Sequence, residues 1–486
     1  MKKSVLSIGF VLAVACAAFA YDNEPPSEDW SADIVSYIDA NRDTYDEIAL
    51  DIGSYAELGF QEFQSSARLV EHLEQHGFVV ETGVAEMPTA FVATYGSGGP
   101  VIGLLAEFDA LPGFSQAPVA EKSSIQGKLT GHACGHHLLG TASIEAAIAI
   151  KEWVDSTGTD ATIRVFGAPA EEGGGGKVFM TRAGLFNDVD AMMNWHPADQ
   201  NAVTSIATMA NISGKFRFHG EAAHAAAAPE RGRSALDAVE AMNDMVNMMR
   251  EHVPQGVRVH YVITSGGSAP NIVPDYAEVY YYVRHDKPDV LQDVWERVNL
   301  AAQGAALGTG TRTEVEIVSA VYPLLPNDEL ARLTDKHLQS VGGVVYTPEE
   351  TEFANGMIPT FGENSKPLAV SSQVRSVFIN KSIVLPASTD VGDVSWITPT
   401  NSFVTATWVP GTAPHSWQAV AAGNMSIGLK GMHVASKVMA LTAADLIQSP
   451  STLARVKAEH RTRRGEDFEY VSVVGDAPPP LDYARR

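Results

Sequence analysis

Apolar residues recur at helical spacing in several stretches of the chain, which predicts helices over about 35–80, 141–154 and 419–446. Short, continuous apolar runs lie between these stretches, at 101–105, 161–166, 191–195 and 403–409. Polar residues follow each run, as expected where a buried strand ends. This alternation predicts an α/β fold with a three-layer catalytic domain, a mixed, mainly parallel sheet, and a functional site at the carboxyl edge of that sheet.

The pattern changes in the middle of the chain, where polar and apolar residues alternate with a period of two. The alternating segments lie at 215–218, 257–264 and 277–283. This pattern is typical of half-exposed antiparallel strands. An apolar helical face at 235–250 begins after Ser234, a residue type that caps helices. The sequence therefore predicts a compact α+β module, ferredoxin-like in class.

These patterns also give the domain organisation. The catalytic domain takes residues 30–210 and 322–450, and the α+β module at 211–321 interrupts it. Residues 455–486 carry a charge run and three consecutive prolines, which predicts a loosely ordered tail.

The N-terminus has the features of an export signal. Two lysines precede an apolar run at 5–18, and small residues at Ala18 and Ala20 suit a signal peptidase. We therefore expect a signal peptide over residues 1–20, a mature chain that begins at Tyr21, and a periplasmic or secreted protein. An alternative is a lipoprotein signal with Cys16 as the lipidated residue, which would anchor the protein to a membrane.

The composition is that of an acidic globular protein. Its 486 residues include 58 Asp and Glu against 34 Lys and Arg, 45% hydrophobic residues and two cysteines. The apolar fraction excludes intrinsic disorder, and the cysteine count excludes a disulfide scaffold. The net charge of −24 repels phosphate backbones, so nucleic acid is not an expected partner. Removal of the signal peptide leaves Cys134 as the only cysteine, and such a thiol needs burial, a metal or a catalytic role.

The segment GHACGHH at 131–137 is the most informative motif of the chain. Cys134 and His136 flank a glycine at the start of a predicted helix, so a thiolate and an imidazole can point at one centre. This pair suits zinc, and also manganese, iron or cobalt where carboxylates complete the coordination. The alternative at this stage is a turn with incidental histidines.

Two adjacent carboxylates follow the second apolar run, in Ala170-Glu171-Glu172-Gly173. Neighbouring side chains in a loop can point in different directions, so one can bind a metal while the other faces a water molecule. A metal-assisted hydrolase needs this arrangement. The glycines at 173–176 and Lys177 resemble a phosphate loop, but the carboxylates and the missing Ser or Thr exclude that interpretation.

His196 and His415 follow two further strands, and Glu107 and Asp109 follow the first and add carboxylates. Together with Cys134, His136 and one glutamate, the two histidines supply five ligands of compatible type. Five ligands are enough for two metal ions that share a bridge. Asp109 is placed to orient a ligating histidine.

In this order, the motifs resemble those of the co-catalytic metallohydrolases, a family that includes aminoacylases, auxin-conjugate and hippurate amidohydrolases, dipeptidases and glutamate-releasing carboxypeptidases. The resemblance extends over about residues 35–445. The matching segments are EFDALPGFS at 107–115, GHACGHHLLG at 131–140, PAEEGGGGK at 169–177, Trp195-His196-Pro197, AAHAAAAPERGRSALDAV at 222–239, ASTDVGDVSW at 387–396 and GTAPHSWQ at 411–418.

The resemblance implies a role for each candidate residue. The implied ligands of two divalent ions, zinc or manganese, are Cys134, His136, Glu172, His196 and His415. Glu171 would be the general base, and Asp109 would support His136. The inserted module would form a homodimer or a heterodimer with a homologous subunit. His224 would then reach the neighbouring site to stabilise the oxyanion, while Asn271 and Arg284 would hold the substrate carboxylate.

The implied activity is hydrolysis of the amide bond of an N-acyl or N-aroyl amino acid such as p-aminobenzoyl-glutamate. Three alternatives stay open: a dipeptidase or N-acyl-amino-acid amidohydrolase of the same family, a non-catalytic metal-binding subunit, and a cysteine hydrolase with Cys134 as nucleophile. One residue departs from the family pattern. His137 stands where relatives have Asn or Asp, so it is an extra ligand, a hydrogen-bond donor to a ligand, or a neutral replacement.

Overall fold

The computed structural model describes residues 30–485, so the expected signal peptide, Cys16 and Tyr21 lie outside the described residues. Within this range, no helix is long and apolar enough to cross a bilayer.

The first part of the catalytic domain contains five helices and nine strands. The helices are α1 (Trp30–Ala40), α2 (Arg42–Tyr55), α3 (Phe63–Gln75), α4 (His136–Thr157) and α5 (Gly176–Arg182). The strands are β1 (Val79–Thr82), β2 (Phe91–Tyr95), β3 (Val101–Ala106), β4 (Leu111–Pro112), β5 (Thr130–Gly131), β6 (Thr162–Gly167), β7 (Ala191–Met193), β8 (His196–Ala198) and β9 (Ala202–Thr208).

The inserted module follows, and the chain then returns to the catalytic domain. The module contains β10 (Ala210–His219), β11 (Ala223–His224), α6 (Ala235–Met249), β12 (Arg258–Ser265), β13 (Ile272–Val273), β14 (Tyr276–His285), α7 (Pro288–Thr309) and β15 (Arg312–Val321). The returning segment contains α8 (Asp328–Val341), α9 (Pro348–Met357), β16 (Phe378–Leu385), α10 (Val391–Ile397), β17 (Phe403–Ala406), α11 (Trp417–Gly423), α12 (Ser426–Gln448) and α13 (Pro450–Arg464).

The main sheet of the catalytic domain is mixed, as predicted. Its strand order is β1-β2-β6-β3-β7. Strands β6, β3 and β7 are parallel, whereas β1 and β2 form an antiparallel margin. A second mixed sheet has the order β16-β9-β17-β8. The parallel strands β3, β6 and β7 bring their carboxyl ends to one edge, which is where the polar strand-end residues lie.

Helices cover both faces of the main sheet, which gives the predicted three layers. Along β3, Ile102 and Leu104 pack into one apolar cluster with α1, α2, α4 and α12. Leu105, on the opposite face, packs into a second cluster with Phe179 of α5 and Val394 of α10. The strand therefore consists almost entirely of buried residues, as expected for a strand covered on both faces.

The inserted module has a four-stranded antiparallel sheet in the order β12-β14-β10-β15. Helices α6 and α7 pack against one face of it. This order and the βαββαβ connectivity are those of a ferredoxin-like fold. Ser234 caps α6 as predicted, because its hydroxyl accepts a hydrogen bond from the Asp237 backbone amide.

The C-terminal segment differs from the loosely ordered tail that the sequence predicts over 455–486. Helix α13 continues to Arg464, and the chain beyond it packs on the catalytic domain. The Tyr470 hydroxyl donates to Asp393 Oδ1 at 2.6 Å, and the Tyr483 ring lies 5.8 Å from the Phe60 ring. The prediction was wrong because aromatic side chains spaced along a polar segment give no periodic signal, although they anchor it.

Candidate metal centre

The candidate residues of the catalytic domain meet at the carboxyl edge of the sheet. Glu107 and Asp109 follow β3, Glu171 follows β6, and His196 lies after β7 as the first residue of β8. His415 follows β17 and is held by a hydrogen bond from its backbone amide to the Ala133 carbonyl at 2.9 Å. These candidate residues therefore lie at the strand ends, as the sequence led us to expect.

Gly135 makes the turn that orients the cysteine and the first histidine. Its φ of 80° lies in the left-handed region, and a Cβ atom there would lie 2.8 Å from the Cβ of Pro197. A larger residue would be strained in φ and would clash. Cys134 therefore ends the loop and His136 begins helix α4, with both side chains directed at one centre.

The ligand atoms of the predicted set lie close together. Cys134 Sγ is 3.3 Å from His196 Nε2, and His415 Nε2 is 3.2 Å from Glu172 Oε2. Among the described residues, three groups have all their ligand atoms within 4.8 Å of one another. They are Cys134-His136-His196, Cys134-Glu172-His415 and Glu107-His136-Glu171. The first two groups contain all five predicted ligands and share Cys134, which is the geometry of two neighbouring cation sites.

Hydrogen bonds fix the direction in which the ligands point. Asp109 Oδ1 lies 2.8 Å from His136 Nδ1, and its Oδ2 accepts from the Glu172 backbone amide at 3.0 Å. His196 Nδ1 lies 2.8 Å from the Pro197 carbonyl. In both histidines the Nδ1 atom is the donor, so in the neutral ring the Nε2 atom carries the lone pair that faces the cluster. Asp109 lies where the sequence analysis expected it.

The donor set fits divalent metal ions. Glu107 Oε2, His136 Nε2 and Glu172 Oε1 are buried and have no hydrogen-bond partner within residues 30–485. Buried acceptors without a donor are costly unless a cation satisfies them. Burial also raises the pKa of the Cys134 thiol, and a bound cation would counter this effect because it stabilises the thiolate. Thiolate, imidazole and carboxylate are together typical of zinc and similar ions.

Glu171 lies beside the cluster with one face open. Its Oε2 is 4.0 Å from His136 Nε2, and 14% of its side chain is exposed. Burial, together with the nearby Glu107 and Asp390 carboxylates, raises the pKa of Glu171 well above its usual value. The residue before it, Ala170, has a φ of 61°, a left-handed conformation that is rare for alanine. Strain of this kind is common where a loop must hold a functional side chain.

An ion network that no sequence pattern indicated lies behind the cluster. Lys177 is fully buried and contacts Glu107 Oε1 at 2.8 Å and Asp390 Oδ1 at 2.7 Å. The sequence indicated Glu107 only as an additional carboxylate and Lys177 only as part of a rejected phosphate loop. The contact between Lys177 and Asp390 joins residues 213 positions apart, so no local pattern could reveal it.

His137 points away from the ligands. Its Nε2 lies 3.2 Å from the Gly423 carbonyl, and its ring packs against that of His132 at 4.8 Å. Burial lowers the pKa of His137 to about 4, so the ring is neutral at physiological pH. It takes part in none of the three groups of close ligand atoms, which fits the neutral replacement rather than the extra ligand.

The three candidate residues of the inserted module do not join the cluster. His224 and Asn271 are exposed and adjacent, since the Ala225 amide donates to the Asn271 carbonyl at 3.0 Å. Arg284 pairs with Asn211 near the other end of β14, and its guanidinium lies 5.5 Å from the Tyr282 ring. From Tyr276 to Arg284 the strand spans about 26 Å at ~3.3 Å per residue. The described chain thus places His224 and Asn271 at one end of the module and Arg284 at the other.

Comparison with known proteins agrees with this architecture. Residues 206–308 match the M20 family model described as a peptidase dimerisation domain. The chain is 41% identical to a subunit of the p-aminobenzoyl-glutamate hydrolase of Escherichia coli (strain K12) over 449 residues, which cover 87% of this chain and 93% of that protein. It is 29% identical to the Xaa-Arg dipeptidase of Mus musculus, with 86% of this chain and 88% of that protein covered.

Solved structures show the same fold. The aminobenzoyl-glutamate utilization protein of Klebsiella pneumoniae has a TM-score of 0.61 at 18% identity, with 86% of this chain and 98% of that chain covered. A dinuclear metal-binding peptidase of the M20 family from Bacillus subtilis has a TM-score of 0.56 at 18% identity, with coverages of 84% and 99%. Since the 41% identity extends over most of both sequences, this protein belongs to the M20 family of metal-dependent hydrolases and peptidases, which cleave amide bonds.

Proposed function

We propose that this hydrolase cleaves p-aminobenzoyl-glutamate to p-aminobenzoate and glutamate. The observation that carries the proposal is the cluster of all five predicted ligands beside Glu171, in a chain 41% identical to part of a hydrolase named for that substrate. The intact ligand set argues against a non-catalytic role. The cysteine hydrolase alternative would require a reactive thiolate, yet Cys134 is buried and burial raises its pKa.

Two divalent ions, zinc or manganese, would be held by Cys134, His136, Glu172, His196 and His415. When bound, such ions polarise an amide carbonyl and lower the pKa of a water molecule to about 7. Asp109 keeps His136 in the tautomer that presents Nε2, because its Oδ1 accepts a hydrogen bond from the Nδ1–H group. The mixed soft and hard ligands are compatible with either metal.

Glu171 is the proposed proton carrier. Its carboxylate takes a proton from the attacking water and later delivers it to the leaving amide nitrogen, so that the amino acid departs as a neutral amine. Its position suits this role, since it lies at the edge of the cluster and stays partly exposed, whereas Glu172 is tied to His415.

We propose that the substrate carboxylate is held by Arg284 and Asn271, and that His224 stabilises the oxyanion. Because these residues lie at opposite ends of the module, Arg284 and the pair His224-Asn271 would come from different subunits of a dimer. Edge strand β12 supports such an assembly, since Tyr261, Val262 and Ile263 are exposed on it. An edge strand with exposed apolar residues can pair with a second copy or with a homologous subunit.

Light scattering after size exclusion tests the assembly. We expect a dimer, and Val262→Lys should give a monomer. A wild-type monomer with full activity would contradict the composite site.

We also propose that the protein is exported. N-terminal sequencing of protein from the native host should begin at Tyr21. A chain that keeps residue 1 would contradict export, and a blocked terminus at Cys16 would indicate the lipid-anchored alternative.

A substrate panel tests the proposed activity. Protein loaded with zinc or manganese should hydrolyse p-aminobenzoyl-glutamate with a higher kcat/KM than N-acetyl amino acids or dipeptides. Release of p-aminobenzoate is measured by chromatography, and Glu171→Gln serves as the inactive control. A preference for dipeptides would favour the dipeptidase alternative, for which the similarity to Xaa-Arg dipeptidases provides a precedent.

A further inference from the structure

The two carboxylate oxygens of Glu107 face different groups, one a lysine and the other a histidine of the metal cluster. Oε1 lies 2.8 Å from Lys177 Nζ, whereas Oε2 lies 3.2 Å from His136 Nε2. Both Oε2 and Nε2 are buried without a hydrogen-bond partner in the described part of the chain. Glu107 is 2% exposed and His136 is fully buried, so solvent does not separate the two atoms.

When the His136 ring is neutral, the form that binds a metal, both of these atoms are acceptors. The Nδ1–H of His136 donates to Asp109 Oδ1 at 2.8 Å, so the lone pair of the neutral ring lies at Nε2. A lone pair facing a carboxylate oxygen is repulsive unless a cation lies between them. The spacing suits a metal ion, because two donor atoms bound at ~2.0 Å in tetrahedral geometry lie about 3.3 Å apart. The pair His415 Nε2 and Glu172 Oε2 has the same spacing of 3.2 Å.

The charges of the buried network around Lys177 also favour a cation beside Glu107. Lys177 is the one cation in contact with Glu107 and Asp390, so two carboxylates share one ammonium group within the described residues. Asp390 is held twice, by the Lys177 side chain at 2.7 Å and by its backbone amide at 3.0 Å. Lys177 therefore contacts both carboxylates at similar distances. Its single positive charge leaves one negative charge of the pair without a lysine, and a buried charge needs a counter-ion.

We propose that Glu107 is a further metal ligand, which binds through Oε2 the same ion as His136 Nε2. The ligand set would then contain six residues instead of five. Lys177 and Asp390 act as positioning residues, because they hold Oε1 and fix the direction of Oε2. This inference rests on the two-metal site of the proposed function.

Metal binding to Glu107→Gln tests the proposal. The amide keeps the size of the side chain but loses the charge. We expect two equivalents of cobalt(II) in the wild type by equilibrium dialysis. In the variant, one equivalent should bind on the order of 10–100-fold more weakly, a loss that even residues supporting a ligand cause. The visible d–d bands should shift, while the charge-transfer band of Cys134 thiolate to cobalt should persist.

Glu62→Gln is the matched control. Glu62 is also a fully buried carboxylate near the cluster, but both of its oxygens are partnered, by the Ala170 amide and the Thr89 hydroxyl at 2.9 Å each. Its variant should bind both equivalents with the wild-type spectrum. Glu107→Asp is the second variant, since it keeps the charge toward Lys177 but shortens the reach; it should also lose affinity for one equivalent.

The outcomes separate the two proposals. The role of Glu107 would be overturned if folded Glu107→Gln bound two equivalents of cobalt(II) with unchanged affinity and spectrum. If that variant does not fold, the same result in Glu107→Asp would overturn it. A wild-type protein that binds fewer than two equivalents would instead overturn the two-metal site. Equal losses in Glu107→Gln and Glu62→Gln would show that any buried carboxylate variant disturbs the pocket, and would also overturn the specific role.

Discussion

Helix α4 carries two clusters of buried ionisable groups, and they differ in whether their polar atoms are partnered. At its first residue, His136 lies in the metal cluster, where three buried acceptors have no donor in the described chain. At Glu145, one carboxylate contacts His433 Nδ1 at 2.9 Å and accepts from the Ser436 hydroxyl. His433 Nε2 lies 2.9 Å from Asp46 Oδ1, so both of its ring nitrogens are paired.

The difference separates a functional cluster from a structural one. Both clusters are buried, charged and built on histidine and carboxylate, so residue type and burial alone would not distinguish them. In the second cluster, internal hydrogen bonds and ion pairs give the Glu145 oxygens and both His433 ring nitrogens a partner, and the network joins α4, α12 and α2. In the first cluster the unsatisfied atoms converge on a point where a cation fits. Unpaired polar atoms that converge on one point therefore mark the site, whereas a fully paired cluster belongs to the scaffold.

Metal removal should have the largest effect on activity and stability, and it should act through the first cluster alone. Chelation should reduce amide hydrolysis to background and lower the unfolding free energy by about 4 kcal/mol relative to protein with metal at 1,000 times its Kd. Denaturant unfolding and a turnover assay measure the two effects. Added zinc or manganese should restore both, and full activity of verified metal-free protein would contradict the assignment of the cluster.

Glu171→Gln should lower kcat by about 10²–10⁴-fold, because the amide cannot carry the proton. Metal content should stay at the wild-type value, since Glu171 is not among the predicted ligands. Mass spectrometry of the metal and initial rates give the two readouts. Glu172→Gln is the matched variant and should lose metal as well as turnover. If the two variants behave in the reverse way, the roles of the adjacent glutamates are exchanged.

Glu145→Gln should affect stability and leave chemistry intact. The substitution leaves the His433 imidazolium with Asp46 alone, and breaking a buried ion pair costs about 3–5 kcal/mol. The free energy of unfolding should fall by this amount, with kcat/KM of the folded protein unchanged. A loss of metal or of kcat in the folded variant would show that the second cluster contributes to the site.

The sequence predicted the first cluster because its residues belong to short motifs. Cys134 and His136 lie two residues apart at the start of α4, and Glu171 and Glu172 are adjacent after β6. The parallel strand ends then bring these local signals to one edge. The mixed α/β fold and the ferredoxin-like module followed from periodicity for the same reason, since both patterns are local.

The second cluster gave no such signal. Glu145 and His433 are 288 positions apart, and each lies inside a mostly apolar helix, where a single polar residue gives no pattern. The partners of Lys177 were hidden in the same way. The ordered C-terminal segment depends on separated contacts such as the one between Arg182 and the Ala477 carbonyl at 2.7 Å. Contacts between distant residues decide these features, and one sequence does not report them.

The smallest expected effect is the pH dependence of the unfolding free energy, which tests the charge state of the second cluster. Burial alone would lower the pKa of His433, but Glu145 and Asp46 outweigh it and raise the pKa to about 9. A histidine whose pKa is higher in the folded protein than its unfolded value of about 6.5 contributes stability that is complete below pH ~6.5 and is lost as the pH rises through 9. The contribution amounts to roughly 3 kcal/mol. Unfolding free energies of wild type and His433→Gln, measured from pH 6 to 10, should therefore differ most at pH 6 and converge above pH 9. Other titrating groups are common to both proteins, so a constant difference across this range would mean that His433 is neutral and that the second cluster is held by hydrogen bonds alone.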